Sequence, residues 1–116
     1  MKRGEVYWAD LEPRSGSEQH GRRPVIIISH DGFNLTRGWR SVIVVPLSTS
    51  PTQATRGLSV VPIAQGIASL PRDCFAICHQ VTTLDRSKVS SRIGELTATE
   101  LIQIEDGLKA AMDLVQ

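Results

Sequence analysis

Two runs, "RPVIIIS" (residues 23–29) and "SVIVVPLS" (41–48), are apolar at consecutive positions rather than at alternate ones. Successive strand side chains point to opposite faces. Such runs therefore have no solvent face and belong in the middle of a sheet covered on both sides. Both are short and rich in β-branched Val and Ile, which suits strand better than helix. Further strands are expected at 4–11 (GEVYWADL), 58–63 (LSVVPI) and 73–81 (DCFAICHQV). Pro46 lacks a ladder donor and is expected to place its strand at a sheet edge or a bulge. Segments 12–22 and 49–57 carry the Gly, Ser and Pro of exposed connections, and 30–40 reads as a loop with room for one helical turn.

The C-terminal segment reads differently. Thr97 and Glu100 have the spacing of a capping box, in which each side chain bonds the other residue's free backbone N–H. Leu101, Ile104, Leu108, Ala111, Met112 and Val115 then recur at helical spacing and form one apolar stripe. Gly107 costs such a helix about 1 kcal/mol relative to Ala, which close packing on the sheet can offset. With 116 residues, no repeat and no linker, the chain reads as one domain over 1–116. It is of α+β class, mainly β, and closed by one amphipathic helix.

Composition excludes several classes. Hydrophobic residues make up 41% and charged residues 22%, far from the disordered range. No apolar run approaches the ~20 residues of a membrane span, and the N-terminus lacks the apolar core of a signal peptide. A cytoplasmic protein without membrane attachment is expected. In a strand, Cys74 and Cys78 stand ~13 Å apart at 3.3 Å per residue, too far for a disulfide or a shared zinc ion. They are expected as small buried thiols, and no metal or cofactor is expected. Residues 1–92 hold twelve Lys and Arg against seven Asp and Glu, whereas 93–116 hold one against five. A polyanion-binding face on the basic body is permitted by that asymmetry.

No G-x-S-x-G, H-E-x-x-H or P-loop lysine is present. Polar side chains instead collect at strand ends: Arg23 at the entry to one apolar strand, Ser48 and Thr49 at the exit of another, His79 and Gln80 at the end of a third. Each could be no more than a satisfied hydrogen-bonding group at the rim.

"KRGEVYWADLEPRSGSEQHGRRPVIIIS" resembles the N-terminal signature of the MazF/PemK (Kid) family of toxin endoribonucleases: R-G-[DE]-[IV]-[YW], then D-L-x-P, then G-S-E-Q-x-G-x-R-P-V. "VIVVPLSTS", "HQVTTLDRSKV", "RIGEL" and the final helix agree with it in order and spacing. The resemblance implies a small SH3-like barrel that forms a homodimer, with single-stranded RNA in a groove at the dimer interface. It also implies metal-independent cleavage at a short sequence, and inhibition by a cognate antitoxin whose tail fills the groove.

Carried over by position, Arg23 falls on the catalytic arginine and Ser48 on the catalytic hydroxyl, with Thr49 as the alternative one residue on. Ser17, Glu18 and Gln19 fall in the loop over the RNA, and Gln80 on a glutamine that contacts it. Ser48 departs from the usual Thr. His79 stands where many members place a carboxylate, and Ile77 where the Kid branch has an arginine.

Metal-free cleavage uses the ribose 2′-OH as nucleophile and leaves 2′,3′-cyclic phosphate and 5′-OH ends. Arginine is permanently cationic and forks onto phosphate, so Arg23 suits charge stabilisation, and Ser48 suits holding the phosphate in line. The base is expected to be His79 or Glu18. Trp8 and Phe75 are expected in the core, Trp39 in a polar loop is the better platform for a base, and His20 and His30 read as solvated. A second copy is expected to cover apolar strand faces that one helix cannot. Two rival readings are an impaired relative that only binds RNA or antitoxin, and a CcdB-like toxin aimed at a protein. The C-terminal "KAAMDLVQ" lacks the aromatic through which the latter acts.

Overall fold

The computed structural model describes residues 1–55 and 57–114. Its elements in chain order are β1 (Glu5–Asp10), β2 (Arg22–Ile27), α1 (Asp31–Asn34), β3 (Ser41–Ser48), β4 (Val60–Ile63), β5 (Cys74–Ile77), β6 (Thr82–Asp85), β7 (Val89–Glu95) and α2 (Ala98–Met112). This is the mainly-β α+β arrangement expected. The sheet runs β4-β5-β3-β2-β1-β7, with β6 added to β3, and every pairing is antiparallel.

β3 is the hub, and this corrects the edge position expected from Pro46. Residues Ser41–Val44 pair with β6, Leu47 and Ser48 pair with β5, and Val44–Pro46 pair with β2 on the other side. Pro46 therefore falls in the gap where β3 passes from one partner to the next. A residue without N–H is tolerated in a central strand because that stretch has no neighbour on one side.

β6 and β7 were not expected. Of their side chains only Leu84 is buried, with Val89 and Ile93 half-buried, so the alternation is too weak to mark strands. The strand expected over 73–81 stops at Ile77, and Cys78–Gln80 form a 3-10 turn instead.

Both faces of the central strands are largely buried within one chain, although Ile43 of β3 is 39% exposed. On one face Val6, Ile26, Val45, Leu47 and Ile63 pack with Ile104 and Leu108 of α2. On the other, Val25, Ile27, Val42 and Val44 are 0% exposed, covered by Leu11 from the loop after β1 and by Leu84 of β6. Val25, Ile27, Val42 and Val44 thus need no second copy to cover them, and among the apolar residues of β3 it is Ile43 that stays open.

The sheet curls so that its two ends meet. Gly94 on β7 lies against the Ala68 carbonyl of the turn Ile67–Ser69, which joins β4 to β5, and a Cβ there would overlap that carbonyl. Ala68 and Ser69 hold left-handed φ of 53° and 60°, a conformation that costs L-residues of order 1–3 kcal/mol each.

α2 closes the structure. Glu100 N–H donates to Thr97 Oγ1 at 3.2 Å and Thr97 N–H to Glu100 Oε1 at 2.8 Å, completing the expected capping box. Ile104 and Leu108 are buried, whereas Met112 is 48% exposed at the helix end and so leaves the expected stripe. Val115 lies outside the described residues. An added Cβ at Gly107 would stand 2.7 Å from Cys78 Sγ and 2.8 Å from Val61 Cγ2, so close packing is what the glycine permits. Both cysteines are free and buried, and burial pushes the Cys78 thiol up to about 12. His30 is not idle in solvent: its Nδ1 accepts from Gly32 N–H at 2.8 Å and caps α1. No described helix is long and apolar enough to cross a membrane.

Candidate active site

The residue before a proline is pushed toward extended backbone, so Arg23 enters β2 just ahead of Pro24. It pairs with Ala9 of β1, while Arg22 pairs with Asp10 and Pro24 with Trp8. The Arg23 Nε–H donates to the His20 carbonyl at 2.7 Å. Both terminal nitrogens are left without a partner among the described residues. Beside it, the Arg22 guanidinium lies 4.6 Å from the Trp8 ring centroid, a cation–π contact that fixes the indole.

Arg23 opens onto a cleft of about 190 Å³ whose walls include Trp8, Arg22, Leu47, Thr49 and Arg72. Three arginines face it and, among the described residues, no carboxylate lines it. Unpaired guanidinium groups on a partly apolar wall make an anion site, and forked donors suit phosphate.

The two candidate hydroxyls part company here. Ser48 is 4% exposed, and its Oγ accepts from Ser50 N–H at 3.1 Å, which braces the turn after β3. Thr49 is exposed and stands on the cleft wall with Arg23.

A second cluster forms where the loop before β2 meets the 3-10 turn after β5. Gln80 Oε1 accepts from Gln19 N–H at 2.5 Å, and Gln80 Nε2 donates to the Ser17 carbonyl at 2.9 Å. The Gln80 amide thereby clamps the loop. Because His20 in the same loop anchors Arg23, the clamp and the cleft are linked. Glu18 is exposed and accepts from Arg14 at 3.2 Å and from Ser15. The Arg14 hydrogen bond, with the Ser15 bonds behind it, holds its carboxyl below the usual carboxylate range. His79 is exposed, but its Nδ1 lies 3.1 Å from Ser59 Oγ, and it is not among the residues lining the Arg23 cleft. Ser17, Gln19 and Gln80 are thus brought together, and Arg23 with Thr49, while His79 stands apart from the cleft.

The aromatics also move. Trp8 and Phe75 are half-buried rather than in the core. Trp39 is exposed as expected, but one face is taken by Phe33, stacked at 4.8 Å. Arg72 was missed altogether. Nothing local distinguishes it from a solvated loop arginine, and only the pairing of β5 with β3 brings its segment beside Thr49.

The fold is a small, mainly-β domain with an open cleft faced by three arginines. Residues 2–112 match the family model described as PemK-like, MazF-like toxin of type II toxin-antitoxin system. The chain belongs to the PemK/MazF toxin family. It is 33% identical over 114 residues to the endoribonuclease MazF6 of Mycobacterium tuberculosis (strain ATCC 25618 / H37Rv), with 98% of each chain covered. It is 30% identical over 115 residues to the endoribonuclease EndoA of Bacillus subtilis (strain 168), covering 99% of this chain and 97% of that one. Among solved structures, MazF from Deinococcus radiodurans superposes with a TM-score of 0.79 at 21% identity, covering 98% of this chain and 97% of that one. A mycobacterial endoribonuclease in complex with its cognate antitoxin gives 0.78 at 23%, covering 100% and 98%. At these identities the structural likeness speaks for the fold alone.

Proposed function

We propose that this chain is the toxin of a type II pair, cleaving single-stranded RNA without metal and restrained by a cognate antitoxin. The carrying observation is Arg23, whose two terminal nitrogens have no partner among the described residues, in a cleft that no described carboxylate lines. A phosphate there would receive a forked guanidinium, and charge building on its oxygens in the transition state would meet a preorganised cation. Thr49 is the hydroxyl placed to donate to the same phosphate, with Ser48 bracing the strand end behind it. The 2′-OH gives its proton to a base and attacks phosphorus in line, the P–O5′ bond breaks, and the 5′-oxygen takes a proton from solvent. DNA is refused for want of the nucleophile.

Among the described residues no side chain lining this cleft is a base, and Glu18 is held ionised by Arg14, which weakens it as a proton acceptor. His79 is the base of this reading, and it serves only by swinging its imidazole away from Ser59 as RNA binds. The assignment extends to a cytoplasmic homodimer, for which sedimentation at micromolar concentration is the check.

The decisive experiment digests a long transcript with EDTA present and maps the ends, which should be 2′,3′-cyclic phosphate and 5′-OH. Arg23→Ala should lose on the order of 10²–10³ in rate, as for one lost transition-state donor, and Arg23→Lys should recover part of it. Thr49→Ala should slow cleavage more than Ser48→Ala. A wild-type chain that binds RNA but cuts none would support the binding-only reading instead.

A further inference from the structure

A second, larger recess of about 400 Å³ adjoins the Arg23 cleft, and Thr49 and Arg72 belong to the walls of both. That volume lies within the roughly 300–1,000 Å³ of pockets that hold small ligands. Its remaining wall includes Phe75, Gln65, Asp73 and Pro51.

The chemistry of that wall is unspent. The Arg72 side chain is exposed and makes no hydrogen bond or ion pair with any described residue; only its carbonyl is used, accepting from Cys74 Sγ at 3.3 Å. The neighbouring Asp73 also lines the recess, where its Oδ1 accepts from Gln65 N–H at 2.8 Å, and it forms no ion pair with Arg72 among the described residues. The Gln65 side-chain amide is exposed and has no partner among the described residues, so one donor group and one acceptor are open. Phe75 is half-exposed on β5, opposite Ser48 and Pro62, and has no aromatic stacking on it among the described residues. An open cation, an unstacked ring and a free amide around one recess are the components of a single-stranded nucleic-acid subsite.

We infer that the recess bounded by Arg72, Phe75 and Gln65 is a nucleotide subsite for the residue next to the cleaved phosphate. Arg72 binds the adjoining phosphate, Phe75 stacks the base, and Gln65 selects among bases through their hydrogen-bonding edges. The inference rests on the ribonuclease reading above. Continuity fixes its geometry: a strand whose phosphate sits at Arg23 passes Thr49 and Arg72 to enter it. Sequence preference would then arise in part from a residue far from the signature loop.

The test uses the full chain and a short single-stranded RNA built around a cut site mapped in a long transcript. Arg72→Gln should raise KM about tenfold or more, as loss of a charged hydrogen bond does. It should also flatten the dependence of log KM on log salt by roughly 0.7, the share of one phosphate on a single strand. Arg72→Lys should restore the slope, which a structural role would not do. Phe75→Leu should cost about tenfold in KM, in the range of one lost base stack. An abasic nucleotide at one flanking position should penalise the wild type but not Phe75→Leu, identifying the stacked base. Gln65→Ala should broaden the set of cut sites.

Thermal melts of each variant separate folding from binding, and the abasic substrate tests the wild type itself. If the wild type cuts RNA while Arg72→Gln keeps the same salt slope and abasic penalties add equally in wild type and Phe75→Leu, the subsite is overturned and the ribonuclease reading stands. The same result with Arg72→Gln weakening only the hold of the co-expressed antitoxin would assign the recess to that protein. A wild type that neither cuts nor binds RNA removes both readings.

Discussion

Replacing Gln80 should loosen the Ser17–Gln19 loop while leaving the rest of the fold in place. The resemblance makes Gln80 a substrate contact; in the structure its amide oxygen accepts from Gln19 N–H and one amide N–H donates to the Ser17 carbonyl. Gln80→Ala removes two hydrogen bonds, each worth a net ~0.5–1.5 kcal/mol. The loop should therefore open more easily by roughly 1–3 kcal/mol, a rise of about 5- to 150-fold in its open population. Global stability should change far less, because Ser17 is exposed and Gln19 half-buried, so the loop opens without unfolding the core. Amide hydrogen exchange followed by NMR reads this directly: the Gln19 N–H should lose protection by that factor while core amides of β3 keep theirs.

Gln80→Glu refines the test. Its carboxylate still accepts from the Gln19 N–H, but it meets the Ser17 carbonyl with an acceptor instead of a donor. Gln19 should stay protected, and the Ser17 end of the loop should loosen. Cleavage should fall in Gln80→Ala through a lower kcat, because the loosened loop also carries the His20 carbonyl that aims Arg23. If Gln19 exchange is unchanged in Gln80→Ala while KM alone rises, the clamp is incidental and Gln80 contacts RNA, as the resemblance implies.

Gly94→Ala should be among the most damaging single-methyl changes in the chain, since the new Cβ overlaps the Ala68 backbone carbonyl; a loss of about 1–3 kcal/mol should appear as a melting point lower by several degrees. Both thiols should be slow toward a disulfide reagent at pH 8 in the folded protein, Cys78 the slower, and both fast in denaturant, because burial pushes the Cys78 thiol up to about 12 and raises Cys74 as well. Asp85, held by Ser87 and Arg40, should titrate at about 2 by NMR. Its folded value lies below the ordinary carboxylate value of ~3.9, so whatever stability it contributes is present above that value and is lost as pH falls toward 2.

Much of this molecule was legible from local pattern. Consecutive apolar residues fixed β2 and β3 as buried strands, the Thr97–Glu100 spacing fixed the start of α2, and the G-S-E-Q-x-G-x-R-P signature pointed to Arg23. These are short-range properties: side-chain periodicity, one capping geometry, and a string of residue types. What stayed hidden depends on partners distant in sequence. β6 and β7 are strands because β3 and β1 offer them backbone donors and acceptors, not because Thr82–Asp85 or Val89–Glu95 carry a strong apolar pattern. Leu84 of β6 then joins Leu11 in the cluster that encloses Val42 and Val44 within one chain. Pro46 sits mid-sheet because β3 changes partners beside it, which no window around residue 46 reveals. Burial separates Ser48 from Thr49, one residue apart, and hydrogen bonding commits Gln80 to the loop and turns His79 toward Ser59. Arg72 becomes part of the site only when β5 lies alongside β3. A side chain's type is written in the sequence, but whether it is open, spent or covered is set by groups that only the folded chain brings beside it.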